Sequence, residues 1–578
     1  MNKLFTVLFL SIITACIQRE KPQNEIEMNL EFDKYTNTFI EQFWNYYPDW
    51  ATNVGYHQND SVLLVPTETT RGLQEQFAKE QLSILHNYQL TTLTDAQKID
   101  YHLIENQLNR ILWQLNEEKS FQWDPSQYNV SGLIAFMLSE NYAPLEKRLR
   151  YIQARMQNIP SYYKAALENL LNPVEVLRIL AIQQNTGGIA VFEEDLKDSI
   201  LASGLSELEK NEMLQSVKLS VESIRGYIDF LTKLSNPTPR DFRLGKELYD
   251  KKFGFDIQSI YTAEQVYDSA QLRKEFLHNE MYKITQKLWT KYFGNQPIPE
   301  NHLLAIRRMI DTLSLNHVTP STYQQTIASQ LPDLVDFIKK KNLLFIDETK
   351  PLVVRKEPAY MAGVSIASIS APGPYDKTGN TYYNVGNIEN WTAERAESHL
   401  REYNHYILQI LNIHEAIPGH YTQLVYANQN PSLVKSIFSN GTMIEGWAVY
   451  TEQMMLENGY GNNELEMWLM WYKWHLRTVC NTILDYSVHV KGMTEQDAMH
   501  LLMNEAFQQE AEAHGKWVRV CVTSVQLMSY YTGYKEICEL RETLKRKNDQ
   551  HFDLKSFHEN FLSYGNAPVK YIREMMLK

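Results

Sequence analysis

The chain has 578 residues and a net charge of −13, and 44% of its residues are hydrophobic. This acidic balance, without a clustered basic face, argues against a nucleic-acid partner. After the first 13 residues no apolar run approaches the ~20 residues that a membrane-spanning helix needs, so we expect a folded body with an ample core.

The first fifteen residues have the pattern of a targeting segment. Lys3 supplies a positive charge, residues 4–13 are apolar, and Ile13-Thr14-Ala15-Cys16 resembles a bacterial lipobox. Cleavage there would leave Cys16 as a lipidated N-terminus, whereas the alternative is an ordinary secretory signal with an incidental cysteine. The polar residues 16–27 are predicted to form a tether. We therefore expect a bacterial envelope lipoprotein, facing the periplasm or the cell surface and touching the membrane only through its lipid.

Residues 28–578 are predicted to form one large helical domain, because no linker, charge block or internal repeat divides them. Two lobes, about 28–345 and 346–578, are the alternative. Apolar residues recur at helical spacing through the first half, which predicts a series of amphipathic helices. Examples are the stretches 70–88, 95–115, 145–171 and 207–234. Short β-type runs between glycine and proline turns then predict a small hairpin or sheet near 350–386.

The stretch His414-Glu415-Ala416-Ile417-Pro418-Gly419-His420 places two imidazoles around a carboxylate. Zinc peptidases use such groups, with histidines as metal ligands and a glutamate as the base. Six residues separate the histidines, which on a regular helix means about 120° around the axis and about 9 Å along it. They could not share one ion. Pro418 and Gly419 therefore predict a bulge or break that returns His420 to the face of His414.

The residues before this motif predict that His414 points inward. From Thr392 an apolar stripe continues at steps of three and four to Leu411, and His414 is next on it. A histidine in that position is more often a buried core residue than a metal ligand. Glu415 and the Pro-Gly-His ending favour the metal ligand.

Further motifs accompany this one, and together they resemble the signature of the bacterial DUF885 family, whose members resemble helical zinc metallopeptidases. They are Pro48-x-x-Ala51-Thr52-x-x-Gly55-x-His57-x-x-Asp60, Gln423, Glu445-Gly446-Trp447-Ala448-x-Tyr450-x-Glu452, Arg519, Gln526 and Ser529-Tyr530-x-x-Gly533. The resemblance implies a mainly α fold, a large multi-helix peptidase-like domain with a deep cleft. Tyr421 follows His420 where a second histidine is common in the family, which favours His420 as the ligand.

A second helix is predicted from about Met443. Glu445 lies 25 residues beyond His420, a separation at which helical zinc peptidases often place the third ligand. Glu452 is seven residues further, about 10.5 Å along a helix, so it is either an outer group or a plain helix charge. The residues from Thr442 to Glu445 also fit a capping box, and this alternative for Glu445 stays open.

A long core helix is predicted across residues 465–490, stopped by Gly492. Arg477 and His489 lie beside its apolar stripe. If they face the cleft, Arg477 could bind a substrate carboxylate and His489 could donate to the oxyanion. Either residue could equally be structural.

Two more candidates come from the comparison with zinc peptidases. Tyr530 is a candidate oxyanion donor because related helical peptidases use a tyrosine from a late helix, and Tyr531 and Tyr534 are its rivals. An edge strand beside the metal often pairs with the substrate, so residues 382–385, with Tyr383 as the substrate-binding residue, are the candidate strand. A purely structural hairpin is the alternative.

The sequence therefore predicts an envelope-anchored zinc peptidase acting on peptides. One zinc ion per chain is expected, held by His414, His420 and Glu445, with Glu415 as the base. The alternatives are a hydrolase of a non-peptide amide and a metal-stabilised lipoprotein that binds peptides without cutting them. Nothing in the sequence indicates an oligomeric state.

Overall fold

The structure, a computed structural model, describes residues 23–350, 352–357, 367–376 and 380–578. The predicted signal segment, residues 1–15, and the predicted lipidation site Cys16 lie outside these ranges. Helix α1 begins at Gln23, so the last part of the predicted tether is helical instead.

The fold is mainly α with one small sheet, which confirms the predicted class. The α-helices are α1 (Gln23–Phe43), α2 (Pro48–Asn53), α3 (Glu68–Leu85), α4 (Asp95–Trp113), α5 (Ser120–Trp123), α6 (Ser131–Ser139), α7 (Leu145–Met156), α8 (Ile159–Asn169), α9 (Glu175–Ala190), α10 (Lys197–Ala202), α11 (Glu207–Lys233), α12 (Lys246–Asp256), α13 (Ala263–Phe293), α14 (His302–Leu313), α15 (Tyr323–Lys341), α16 (Ala393–Glu402), α17 (His405–Glu415), α18 (His420–Gln429), α19 (Leu433–Ile437), α20 (Gly441–Glu457), α21 (Leu465–His489), α22 (Glu495–His500), α23 (Glu510–Val522), α24 (Ser529–Asn548), α25 (Leu554–Ser563) and α26 (Val569–Met576).

Local capping fixes where several helices begin. The predicted helices 95–115 and 207–234 are confirmed as α4 and α11, and each starts with a capping box that satisfies two backbone N–H groups. The reciprocal pairs are Thr94 with Gln97 and Ser206 with Glu209.

Two predicted helices are each divided in two. The stretch 145–171 forms α7 and α8, and Pro160 lies in the first turn of α8, where its missing N–H costs nothing. The stripe from Thr392 forms α16 and α17 because the Asn404 side chain caps α17, accepting hydrogen bonds from the N–H groups two and three residues on. Apolar spacing continues across both breaks, so periodicity alone could not reveal them.

The sheet contains β1 (Leu352–Lys356), β2 (Ala367–Ser370) and β3 (Thr381–Val385) in the order β1-β3-β2. Strand β3 pairs parallel with β1 and antiparallel with β2. The prediction that residues 382–385 form an edge strand for the substrate is therefore wrong, because both edges of β3 are already paired.

Two hydrophobic cores stabilise the described chain. The main core runs from Phe32 to Ile572 and includes residues of both halves of the sequence. A second core lies within residues 63–231 and is built mainly from α6 to α11. The cores therefore do not divide the chain near residue 345, where the alternative of two lobes places its boundary.

Three helices of the main core position the site. Helix α21 is buried along most of its length. Helices α20 and α24 approach closely where Gly446 meets Gly533, since a β-carbon on Gly446 would lie 2.4 Å from the Gly533 Cα. This glycine pair lets the two backbones touch. Glu445, directly before Gly446, and Tyr530, three residues before Gly533, therefore come close to each other.

Within the described residues, none of the helices combines the length and the apolar character needed to cross a membrane.

Candidate metal centre

The histidine motif forms a break between two helices, as its Pro-Gly pair predicts. Helix α17 ends at Glu415 and α18 begins at His420. The Gly419 N–H closes the break by donating to the Ile413 carbonyl at 2.9 Å. A β-carbon on Gly419 would lie 1.8 Å from the His414 carbonyl oxygen, so only glycine fits this position.

The break brings the two imidazoles together around one carboxylate. The ring centroids of His414 and His420 lie 4.8 Å apart with the rings nearly perpendicular. Glu445 Oε2 lies 3.7 Å from His414 Nε2 and 3.4 Å from His420 Nε2. Donor atoms around a tetrahedral zinc at its usual bond lengths are about 3.4 Å apart, so these three residues fit the ion. Glu415 also offers a ligand atom within 4.8 Å of those of both histidines.

Glu445 reaches this point from inside a helix and not from its cap. Asn440 caps α20, and its side chain accepts the hydrogen bond of the Met443 N–H at 2.8 Å. The Thr442 hydroxyl has no hydrogen-bond partner among the described residues. The capping-box alternative for Glu445 is therefore wrong, and its carboxylate faces the two histidines instead.

Glu452 orients the His414 ring through a hydrogen bond to its Nδ1 atom. Its Oε1 atom accepts hydrogen bonds from His414 Nδ1 at 2.7 Å and from the Trp474 indole N–H at 3.1 Å. This hydrogen bond holds Nδ1 as the donor, so a metal would bind at Nε2 once Nε2 loses its proton, as in many metal-bound histidines. Trp474 has no local sequence signal for this role, because an indole on a core helix usually serves packing alone.

The carboxylates and imidazoles of the cluster shift one another's pKa values. Burial opposes the imidazolium of His414, yet Glu445 and Glu452 raise its pKa to about 10. Burial alone would raise the pKa of Glu445, but the two imidazoles hold it below its usual range. Burial raises the pKa of Glu415 despite both histidines. Without a metal, the His414 imidazolium therefore balances part of the charge of the carboxylates around it, and a bound divalent ion would displace its proton and take over that role.

Tyr530 is the tyrosine of α24 that faces this cluster. Burial and the Glu445 carboxylate raise its pKa, and its hydroxyl accepts hydrogen bonds from Arg519 and Gln526, each at 3.4 Å. The hydroxyls of the rivals Tyr531 and Tyr534 bond to residues of α13.

Tyr383 lies near the cluster, but it is fully buried and its hydroxyl donates to Asn412 Oδ1 at 2.9 Å. Its role as a substrate-binding residue is therefore wrong, since no face of the ring is available. Tyr383 instead braces α17 just before the break, because Asn412 lies two residues ahead of His414.

Two candidates on α21 are engaged elsewhere. His489 is buried, and its Nε2 lies 2.9 Å from the carbonyl oxygens of Val520 and of Thr523. It follows Trp474 by 15 residues, about 22 Å along the helix, so the prediction of an oxyanion donor is wrong. Arg477 is closer, but its guanidinium is paired with Glu512 and is not free to clamp a substrate.

A cavity of about 260 Å³ lies between α15 and the sheet, and its walls include Gln324, Val354 and Ile388. None of the clustered side chains lines it, so it is separate from the candidate centre.

Comparisons with known proteins agree with the fold. The family model described as "Bacterial protein of unknown function (DUF885)" matches residues 48–576. The solved structure of a candidate lipoprotein of unknown function from Shewanella oneidensis is 52% identical, covers 95% of this chain and 100% of its own, and has a TM-score of 0.87. That of a candidate lipoprotein from Colwellia psychrerythraea is 15% identical, with 95% and 98% coverage and a TM-score of 0.77, and shows the shared fold alone. No curated protein matches the sequence.

The break between α17 and α18 can be tested with Gly419→Ala. The added methyl group would collide with backbone carbonyls that cannot move independently, so we expect a loss of about 3 kcal/mol in the free energy of unfolding. Denaturant titration followed by circular dichroism measures it. Gly187→Ala is the control, because nothing lies within 4 Å of a β-carbon there and helix α9 should be unchanged or slightly more stable. Equal unfolding curves for Gly419→Ala and the wild type would show that the break does not require glycine.

Proposed function

The chain belongs to the DUF885 family of bacterial proteins, and we propose that this member is a zinc-dependent peptidase of the cell envelope. One observation carries the proposal. His414, His420 and Glu445 converge on a single point at the separations that suit a tetrahedral ion, and Glu415 stands beside them. Nitrogen and carboxylate donors in this combination suit zinc better than magnesium or calcium.

Glu415 is the proposed general base. Its side chain is half-buried, and burial and neighbouring charges, but no hydrogen bond from a described residue, act on its carboxylate. The carboxylate is therefore free to accept a proton from the attacking water and to pass it to the leaving amine. Burial raises its pKa toward the working pH, which favours both halves of this transfer. A structural metal site would have no use for such a group beside its first ligand.

The remaining residues hold and complete the centre. Zinc, when bound, would act as a Lewis acid and lower the pKa of its water to about 7. Glu452 and Trp474 fix the His414 ring, and the Tyr530 hydroxyl is the proposed donor to the oxyanion of the tetrahedral intermediate. Arg519 and Gln526 both donate to the Tyr530 oxygen, which leaves its own hydrogen free to point at the substrate.

The proposed location is the bacterial cell envelope, with Cys16 as the lipid-bearing residue. The lipobox-like residues before Cys16 support this, and so do the two related structures, each of which is described as a candidate lipoprotein. Peptides are the proposed substrates, and the lipid is the proposed contact with the membrane.

The purified chain should carry about one zinc ion, and Glu445→Gln should lose it on mild chelation. A lost ligand should weaken metal binding beyond the roughly 10- to 100-fold typical of outer-sphere changes. Elemental analysis after dialysis against a chelator measures the retained zinc. Glu457→Gln, on the same helix but paired with Arg541, is the matched control. Zinc that survives in a His414→Ala, His420→Ala double variant would refute the site.

Glu415→Gln should keep zinc and lose at least about a hundredfold in turnover, because the ligands remain while the base is removed. A peptide library digested by the full-length protein and read by mass spectrometry measures this, with zinc content determined on the same sample. Near-normal cleavage by the variant would exclude Glu415 as the base. A wild-type protein that binds peptides, holds zinc and cuts none of them would favour the binding lipoprotein.

Cys16→Ser should move the protein from the membrane fraction to the soluble fraction, because acyl chains on Cys16 are the proposed anchor. Fractionation of cells producing either form, followed by immunoblotting, measures this. An unchanged membrane fraction would contradict lipidation at Cys16.

A further inference from the structure

A row of charged side chains on helix α23 leads away from the candidate centre. Glu512, Lys516 and Arg519 are four and three residues apart, so they share one face of the helix. Arg519 lies at the Tyr530 end of this row. Lys516 follows about 4.5 Å along the axis, and Glu512 lies about 10.5 Å from Arg519.

Two ion pairs lie near the Glu512 end of this row. Arg477 is paired with Glu512, and both side chains are mostly buried. Lys473 Nζ lies 2.7 Å from Glu402 Oε1, and the exposed fractions of these side chains are only 3% and 5%. These four charges therefore balance one another in two pairs.

Lys516 and Arg519 are not balanced in this way. Within the part of the chain that the structure describes, neither cation has a carboxylate oxygen within the 4.0 Å of an ion pair. Among the residues that the structure describes, Arg519 donates to the neutral groups of Gln526 and Tyr530 alone. This face of α23 therefore carries two basic side chains without a paired carboxylate, near a metal centre that is rich in carboxylates.

Lys516 is the stronger indication of an absent ligand. The residue is only 6% exposed, and its ammonium makes no hydrogen bond to any residue that the structure describes. Burial, with help from Arg477 and Arg519 and against the charges of Glu512 and Glu402, lowers its pKa well below the ordinary value. Burial therefore favours the neutral amine, and a carboxylate placed against Lys516 would stabilise the charged ammonium instead.

Two contacts connect these cations to the metal centre. Arg519 donates to the Tyr530 hydroxyl at 3.4 Å, and Tyr530 in turn feels the charge of Glu445. On the other side, the Arg477 guanidinium stacks on Trp474, 4.7 Å from the ring centroid, and Trp474 donates to Glu452. Lys516 lies close enough to Arg477 and Arg519 for both of their charges to act on it, so it belongs to the same group of side chains.

We infer that Lys516, assisted by Arg519, binds the α-carboxylate at the C-terminus of the substrate peptide. The inference rests on the proposed peptidase function and specifies its substrate class, namely peptides with a free C-terminus that are cut near that end. The α-carboxylate is the proposed ligand because every peptide with a free C-terminus carries it, and an acidic side chain is the alternative that the test decides.

The test compares tetra-alanine with a free carboxylate and tetra-alanine with a C-terminal amide. Binding to the full-length, zinc-loaded Glu415→Gln variant, measured by calorimetry, needs no turnover. The free acid should bind about 10- to 100-fold more tightly than the amide, the range expected for a hydrogen bond to a charged group. Lys516→Met should abolish this preference, and Lys516→Arg should retain most of it. Lys287→Met, an exposed lysine on α13, should leave it unchanged.

The outcomes separate this inference from the function on which it rests. If wild-type enzyme cuts the acid and the amide equally well, and both bind equally, the carboxylate site is refuted while the peptidase stands. If neither peptide is bound or cut, and no library peptide is cut, both fail. A tetrapeptide amide that ends in glutamate serves as a third probe, and binding as tight as that of the free acid would overturn recognition of the α-carboxylate. The comparison of peptides on unaltered Lys516 decides the question even if Lys516→Met does not fold.

Discussion

The site depends on one backbone contact, the approach of Gly419 to the His414 and Ile413 carbonyls. A continuous helix would hold His414 and His420 on different faces, too far apart to share an ion. Ending α17 at Glu415 and starting α18 at His420 removes that constraint and turns both imidazoles toward Glu445. Without a side chain at position 419, the chain can fold back within hydrogen-bonding distance of its own helix end.

A second close approach supplies the rest of the centre. Because Gly446 and Gly533 allow α20 and α24 to touch, Glu445 and Tyr530 come from separate helices to the same side of the histidines. Glu452, two turns further along α20, supports His414 from the opposite side. One helix therefore provides both the carboxylate that faces the metal position and the carboxylate that orients the ring.

Acidic and basic side chains occupy different parts of this region. Buried carboxylates surround the imidazoles, whereas the neighbouring face of α23 carries the basic side chains of Lys516 and Arg519, which have no ion-pair partner among the described residues. Each half is costly to bury by itself. A divalent cation would neutralise the carboxylates, and a carboxylate ligand would pair with the basic side chains of α23. A substrate peptide could then place its scissile bond at the metal and its C-terminal carboxylate at Lys516.

The sequence by itself determined the features that depend on near neighbours. Capping residues set the starts of α4 and α11, and Pro418 with Gly419 set the break that makes His414 and His420 neighbours. These predictions succeeded because backbone sterics and local hydrogen bonds act within a few residues.

Only the tertiary structure decided the features that depend on distant partners. Strand β3 became central because β1 and β2 pair with both of its edges, which removed Tyr383 from the list of substrate contacts. Glu512 took the guanidinium of Arg477, and the length of α21 carried His489 away from the centre. Trp474 and Lys516 gained their significance from packing across helices. A local sequence pattern indicates which chemistry a residue could carry out. The partners of that residue come from distant chain segments, which meet only when the core forms.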